Sequence, residues 1–229
     1  MGERVSIVLA AYEEAASIAD VVGGCLGYGT EVLVVDDGSS DETAARAADA
    51  GARVISLSRN RGKGVALRRG ALEARGDVLV FLDADGQDDP ADIPALLRAL
   101  TESVDLVVGS RFLGHFETDA ITQLHAWGNR ALTELVNALF GARLSDTQAG
   151  FRAIRRARFL DCDLGARGFD VEVDVLLDIL RRGGRVVEVP VTRRARAHGR
   201  SHLRTVQDGA RILLRIGRQR LRRRRSRTA

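Results

Sequence analysis

Five short apolar runs, each followed by a polar or alanine-rich segment, shape the first half of this 229-residue chain. The runs cover residues 5–10, 31–35, 53–57, 78–82 and 106–108, and the alanine-rich segments between them cover 15–26, 41–50, 63–74 and 92–100. Hydrophobicity in these runs is continuous rather than alternating, which marks strands buried on both faces. Strands that alternate with helices across short connections predict a parallel sheet covered by helices on both sides. Ser40 with Thr43, and Pro90 before Ile93, supply helix-start chemistry. Hydrophobic residues make up 45% of the chain, enough for such a core.

The second half is less regular. A helix is expected over 123–140, closed by Gly141, and another near 171–182. A strand over 185–189 is expected to stop at Pro190, and a last helix to start near residue 203. Residues 145–155 carry no clear pattern. The change of character falls near Gly109, with no repeat and no low-complexity linker. The chain therefore reads as one domain over 1–210, with halves 1–109 and 110–210, followed by a basic amphipathic tail over 211–229.

In open α/β sheets, ligands bind beyond the carboxyl ends of the strands. Tyr12, Glu13 and Glu14 follow the first run, and Asp36, Asp37, Gly38 and Ser39 the second. Ser58, Asn60, Gly62 and Lys63 follow the third; Asp83, Asp85 and Gln87 the fourth; Ser110 and Arg111 the fifth. Polar residues thus pool at one edge of the sheet. Asp83 and Asp85 stand two apart, and residues two apart on a strand point the same way. Paired carboxylate oxygens suit Mg²⁺ or Mn²⁺, and such ions suit a phosphate-bearing ligand. The other reading of this stretch is a solvated acidic turn closed by Pro90.

Several sites are excluded. The first turn reads Ala10-Ala11-Tyr12-Glu13-Glu14, whose carboxylates would repel the pyrophosphate that a G-x-G-x-x-G turn receives. Gly62-Lys63-Gly64 lacks the spacing and the hydroxyl of a phosphate-binding P-loop. Four histidines and two cysteines make neither a zinc pattern nor a disulfide framework, which points to a reducing compartment. No run approaches the roughly 20 apolar residues of a membrane span, and no signal-peptide-like stretch opens the chain. Net charge is only +4, but arginines crowd the end. Such a tail is either a solvated end or a partner for anionic lipid or nucleic acid.

Seven segments in fixed order carry a resemblance. They are residues 8–14, Val34-Val35-Asp36-Asp37-Gly38-Ser39-Ser40-Asp41, Asn60-Arg61-Gly62-Lys63-Gly64, Asp83-Ala84-Asp85, Gly109-Ser110-Arg111-Phe112, residues 146–152 and Glu188-Val189-Pro190-Val191. In these the chain resembles glycosyltransferase family 2, and within it the polyprenyl-phosphate glycosyltransferases of the dolichol-phosphate mannose synthase type. The resemblance implies an α/β fold of the GT-A kind: a Rossmann-like, mostly parallel sheet flanked by helices. It is a single domain whose first half binds the nucleotide sugar and whose second half binds the acceptor.

The resemblance also implies roles. Ala10, Tyr12, Glu14, Val35 and Asp37 would hold base and ribose, Ala10 standing where proline is usual. Asp83, Ala84, Asp85 and Gln87 would meet the diphosphate, with Asp83, Asp85 and Gln87 holding Mg²⁺ or Mn²⁺. Arg111 would bridge donor and acceptor phosphates and, with Arg130, orient the acceptor phosphate, with Asp85 assisting departure of the diphosphate. Arg196 and His202 fall in a stretch similar to the family's R-x-x-G-x-S-K-L loop, with His202 in place of lysine. The implied reaction moves mannose or glucose, with inversion, from GDP-mannose or UDP-glucose to polyprenyl phosphate. That acceptor is already an anion and needs no strong base. A hydroxyl acceptor would need one, and Glu172 and Asp170 are the nearest candidates, though both are expected on a helix surface.

Asp146, Gln148 and Arg152 either shape the acceptor pocket or support a tight turn at Gly150-Phe151. Trp127 is expected to be packed. Ile212, Leu213, Leu214, Ile216 and Leu221, interleaved with arginines, would lie in the membrane interface on the cytoplasmic face. That arrangement leaves room for a membrane-subunit partner. Two other readings stand beside this one. The first is a soluble family-2 enzyme with a small water-soluble acceptor. The second is a nucleic-acid-binding protein using its arginine tail, against which the acidic strand-end edge argues, so no nucleic acid is expected.

Overall fold

The structure is a computed structural model that describes residues 3–117, 123–165, 168, 170–195, 212–217 and 219–220. The strands are β1 (Val5–Ala11), β2 (Glu31–Asp36), β3 (Arg53–Ser56), β4 (Val78–Asp83), β5 (Leu106–Phe116), β6 (Arg152–Arg155) and β7 (Val186–Arg193). The helices are α1 (Ile18–Cys25), α2 (Thr43–Asp49), α3 (Lys63–Glu73), α4 (Ile93–Ala99), α5 (Gln123–Phe140), α6 (Arg156–Leu160) and α7 (Val171–Arg181). One seven-stranded sheet has the order β3-β2-β1-β4-β6-β5-β7. All its pairings are parallel except the two made by β6, which runs antiparallel to β4 and β5.

The two faces of the sheet bury two cores. Ile7, Leu9, Val80 and Leu82 meet Ile18 and Val22 of α1 and Ile93 and Leu96 of α4. Val8, Leu79 and Phe81 meet Leu67 of α3, Phe159 of α6 and Val175 and Ile179 of α7. Neighbours along β1 and β4 thus serve opposite faces, as the pleat requires. Each fully buried aliphatic side chain contributes roughly 1.5–3 kcal/mol. A third cluster joins Val136 and Phe140 of α5, Val173 and Leu177 of α7, and Ile212 and Ile216.

The structure corrects the sequence in four places. β7 runs through Pro190 instead of stopping there, because β7 is an edge strand whose outer side asks for no N–H. β5 extends to Phe116, well past residue 108, and carries Gly109 in its middle. β6 was hidden by an arginine at each end, one of them buried. Ile212 and Ile216 are buried against α5 and α7, so they are not offered to a membrane. Arg215 between them pairs with Asp170 at 3.1 Å and Asp174 at 3.7 Å. Leu213 and Leu214 are the exposed residues of that stretch. Both cysteines are buried free thiols, pushed up to about 12 by burial.

Candidate active site

The loops after β1 and β2 are stitched into one rim. Asp37 N donates to the Ala11 carbonyl at 2.8 Å. Glu13 N donates to Ser39 Oγ at 2.9 Å, and its carboxylate accepts from Ser40 N at 2.8 Å. Glu14 N donates to Thr43 Oγ1 at 2.8 Å. Glu13 itself is left-handed, with φ 57°, the one non-glycine in that region among the described residues. Such a conformation persists where the surroundings over-determine it, and these residues gather at functional sites. Asp37 accepts from Arg61 N at 2.8 Å and Gly62 N at 2.7 Å, which ties the loop after β3 to the same rim. Burial outweighs these donors and raises the Asp37 carboxyl. Gly38 has φ 78°, and a side chain there would meet the Arg59 backbone at 2.4 Å.

Of the residues expected at the nucleoside, Ala10, Tyr12 and Glu14 are half-buried along this rim, and Asp37 is buried beneath it. Val35 is different. It is fully buried, one residue before the end of β2, and its side chain faces Gly70 of α3. The fold does not bring that side chain to the rim.

The acidic residues after β4 converge, but not in the way period-two spacing implies. β4 ends at Asp83, and the chain turns through Ala84-Asp85-Gly86. Asp83 falls on the α3 side, where Lys63 Nζ lies 2.5 Å from Asp83 Oδ1 and 2.6 Å from Glu172 Oε1. Asp85 Oδ1 accepts from Gln87 N at 3.0 Å. The ring closes on the far side with Arg193 at the end of β7, which feels Asp88, Asp85 and Asp83 together. Burial opposes ionisation of Asp83, yet Lys63 and then Arg193 and Arg111 outweigh it and hold the carboxyl at about 2. Burial raises Asp88 despite Arg193. The stretch is therefore not a solvated acidic turn.

Arg111 leaves β5 at the same edge. Its Nε and Nη2 grip Asp146 at 2.6 and 2.9 Å, and Asp146 N is held in turn by Glu188 Oε1 at 2.8 Å. Arg130 on α5 stacks on Phe112 at 5.2 Å, with the Arg111 guanidinium 5.9 Å from the same ring. The two arginines expected to meet an acceptor are thus gathered at one aromatic ring. Arg152 is a buried brace whose guanidinium donates to the carbonyls of Ala149, Thr147 and Glu172. Burial lowers it to about 10.

Two expectations fail here. Glu172 and Asp170 are buried, not surface helix carboxylates; α7 is covered by α3 and α5 and by residues 212–216. Trp127 is not packed but 72% exposed, because it faces outward on α5. Arg196, His202 and Leu221 lie outside the described residues.

Sequence reasoning put Lys63 at the polar edge and Glu188 in a family-like segment without giving either a role, and it missed Arg193. For Lys63 a signal existed. It is the chain's only lysine among 35 basic residues. A compact ammonium can bond two carboxylates at once in a space that a planar guanidinium would not fit. Gly150 closes that space: a Cβ there would stand 2.9 Å from Asp83 Oδ1 and 3.1 Å from Lys63 Nζ.

The residues fit a divalent ion held together with phosphates. Mg²⁺ and similar ions commonly use one or two carboxylates plus substrate phosphates, without an all-protein cage. Among the described residues no group of three His, Cys, Asp or Glu side chains forms such a cage. The rim offers the carboxylates of Asp83 and Asp85, beside basic groups that tolerate a polyanion.

Comparison with known proteins agrees with this geometry. The family model described as Glycosyl transferase family 2 matches residues 6–161. Glycosyltransferase AglJ of Haloferax volcanii is 34% identical over 220 residues, covering 95% of this chain and 72% of that one. A dolichol-phosphate mannosyltransferase of Pyrococcus furiosus is 30% identical over 213 residues, covering 88% of this chain and 59% of that one. Glucosyl-3-phosphoglycerate synthase from Mycobacterium tuberculosis, solved with Mn²⁺, UDP-glucose and phosphoglyceric acid, superposes with a TM-score of 0.77 and 28% identity. That match covers 96% of this chain and 80% of the other. The GT-A expectation for the sheet is thereby met.

Proposed function

The chain belongs to glycosyl transferase family 2 and is a glycosyltransferase, and from that premise we propose that it moves a hexose from a nucleoside-diphosphate sugar to polyprenyl phosphate. The sugar is mannose or glucose, the donor GDP-mannose or UDP-glucose. The observation that carries the proposal is the gathering of Arg111 and Arg130 at the Phe112 ring, with Arg111 within electrostatic reach of Asp83. Two guanidinia beside the donor site suit a phosphate acceptor, because charge-assisted bonds to phosphate are strong and directional.

The rim formed by Glu13, Asp37 and their N–H partners positions the nucleoside. Lys63 keeps Asp83 ionised and fixed. A divalent ion bound by Asp83 and Asp85 would supply Lewis-acid neutralisation of the leaving diphosphate. Arg111, locked in orientation by Asp146, and Arg130 present the acceptor phosphate for in-line attack and inversion. No general base is required. Glu172 is unsuited to that task, since Lys63 already neutralises it at 2.6 Å.

Lipid as the carrier of that phosphate is supported by Trp127. It lies one helical turn before Arg130 on α5, on the same face, and is 72% exposed. Exposed tryptophan suits a membrane–water interface. We place the enzyme peripherally on the cytoplasmic face, through this face of α5 rather than through Ile212 and Ile216. No described helix is long and apolar enough to cross a membrane. A second reading has specific support: the structural neighbour was solved with phosphoglyceric acid, a small phosphate-bearing acceptor.

The experiment offers radiolabelled GDP-mannose and UDP-glucose with polyprenyl phosphate in vesicles, with and without Mn²⁺. Label is expected in the organic-extractable fraction, and Asp85→Ala is expected to lower it by about 10²–10³-fold. Label found only on water-soluble phosphates would replace the first reading with the second.

A further inference from the structure

We propose that Arg193 is a resident counter-cation of the strand-end carboxylates and weakens the site's hold on a free divalent ion, so that ion and nucleotide enter together. The proposal rests on the reading above that Asp83 and Asp85 hold the ion. Arg193 Nη1 donates to Asp88 Oδ1 at 2.6 Å, and Nη2 donates to Gln87 Oε1 at 3.0 Å. Nη2 also stands 4.0 Å from Asp85 Oδ2. The side chain is 11% exposed, and that of Asp88 is 2% exposed.

The backbone holds this arrangement in place. Asp88 and Arg193 form a β-bridge. Arg194 N donates to the Gln87 carbonyl at 2.7 Å, and Gln87 Nε2 donates to the Arg194 carbonyl at 3.2 Å. The acidic turn and the end of β7 therefore form one unit. Arg193 cannot swing away without leaving Asp88 buried and without a cation, its one remaining contact among the described residues the Asp83 N–H at 3.3 Å, which is strongly unfavourable. A guanidinium fixed this close to Asp85 repels any further cation there. A nucleoside diphosphate reverses the balance, because its phosphates bring the negative charge that the site itself has already compensated.

Mn²⁺ binding to the full chain is measured by the electron paramagnetic resonance signal of free Mn²⁺, with and without UDP or GDP. Arg193→Gln is expected to bind Mn²⁺ alone about tenfold tighter than the parent, from removal of one like charge. Arg193→Lys is expected to match the parent, and added nucleotide to shrink the difference. Equal or weaker binding by Arg193→Gln overturns the proposal. Should that variant not fold, the parent still decides. Its Arg193 Nε–H resonance, assigned by its loss in Arg193→Lys, must shift as Mg²⁺ is added with nucleotide, and an unmoved resonance overturns the proposal. Absence of Mn²⁺ binding in the parent, even with nucleotide, refutes the ion site itself and the proposal with it.

Discussion

The two halves of the sheet both place charge at its rim, and they do so by different means. In β1 to β4 the acids are satisfied largely by backbone N–H groups. Asp37 takes those of Arg61 and Gly62, Glu13 that of Ser40, and Asp36 that of Ser39. In β5 to β7 and their helices the acids are satisfied largely by guanidinia: Asp146 by Arg111, Asp170 by Arg215, Asp178 by Arg181. An N–H cradle is made by the course of the chain and survives most side-chain changes. A buried ion pair depends on one side chain, and its loss strands a charge. The first half thus fixes its rim charges through the backbone, and the second through tunable, more fragile side-chain pairs.

That contrast predicts a graded series. Arg111→Ala is expected to cost most, about 3–5 kcal/mol in denaturant unfolding, because Asp146 is left buried without its partner. Arg111→Lys should recover part of this but not the fork geometry. A cost under about 1 kcal/mol for Arg111→Ala would break the contrast.

Lys63 joins the two halves, and pH reads it out. Asp83 is held at about 2, below its ordinary 3.8. A lowered carboxylate contributes stability that is complete above about pH 4 and lost as pH falls towards 2, here about 2 kcal/mol. Lys63→Met takes the nearest cation from Asp83 and from buried Glu172, leaving Asp83 only the weaker pull of Arg193 and Arg111. Its stability is expected to rise as pH falls through the acid range, opposite to the parent. Thermal melts between pH 3 and 7 with the same slope in both proteins would remove Lys63 from this role.

Asp37→Asn tests the rigid half. The amide keeps one acceptor for two N–H donors, so a loss of about 1 kcal/mol is expected in denaturant unfolding. The smallest stability effect belongs to Trp127→Ala, within about 0.5 kcal/mol because the ring is exposed. Flotation with anionic vesicles is where that variant should fall behind. Equal flotation with the parent removes α5 as the membrane-facing element.

Much of the first half, β1 to β4, was legible in the sequence. Continuous apolar runs, short connections and polar residues after each run encode local events, and the observed strands follow them closely. The second half was harder. β6 carries arginine at both ends, so hydrophobicity could not mark it, and Pro190 read as a terminus because edge position is invisible from composition. Glu172 read as a surface carboxylate because nothing local announces that Lys63, over a hundred residues earlier, will meet it. Ile212 and Ile216 read as lipid-facing because amphipathic spacing does not say which apolar partner receives it.

By itself, the sequence determined the alternation of strand and helix, the polar edge and the acidic turn, since these follow from side-chain polarity and short-range backbone preference. The tertiary structure alone decided which charges meet. Asp83 gains Lys63, Asp146 gains Arg111 and Asp88 gains Arg193 only when strands distant in the chain become neighbours. An ion's energy depends on its distance to other ions and on its exclusion from water, and neither is written in the order of residues.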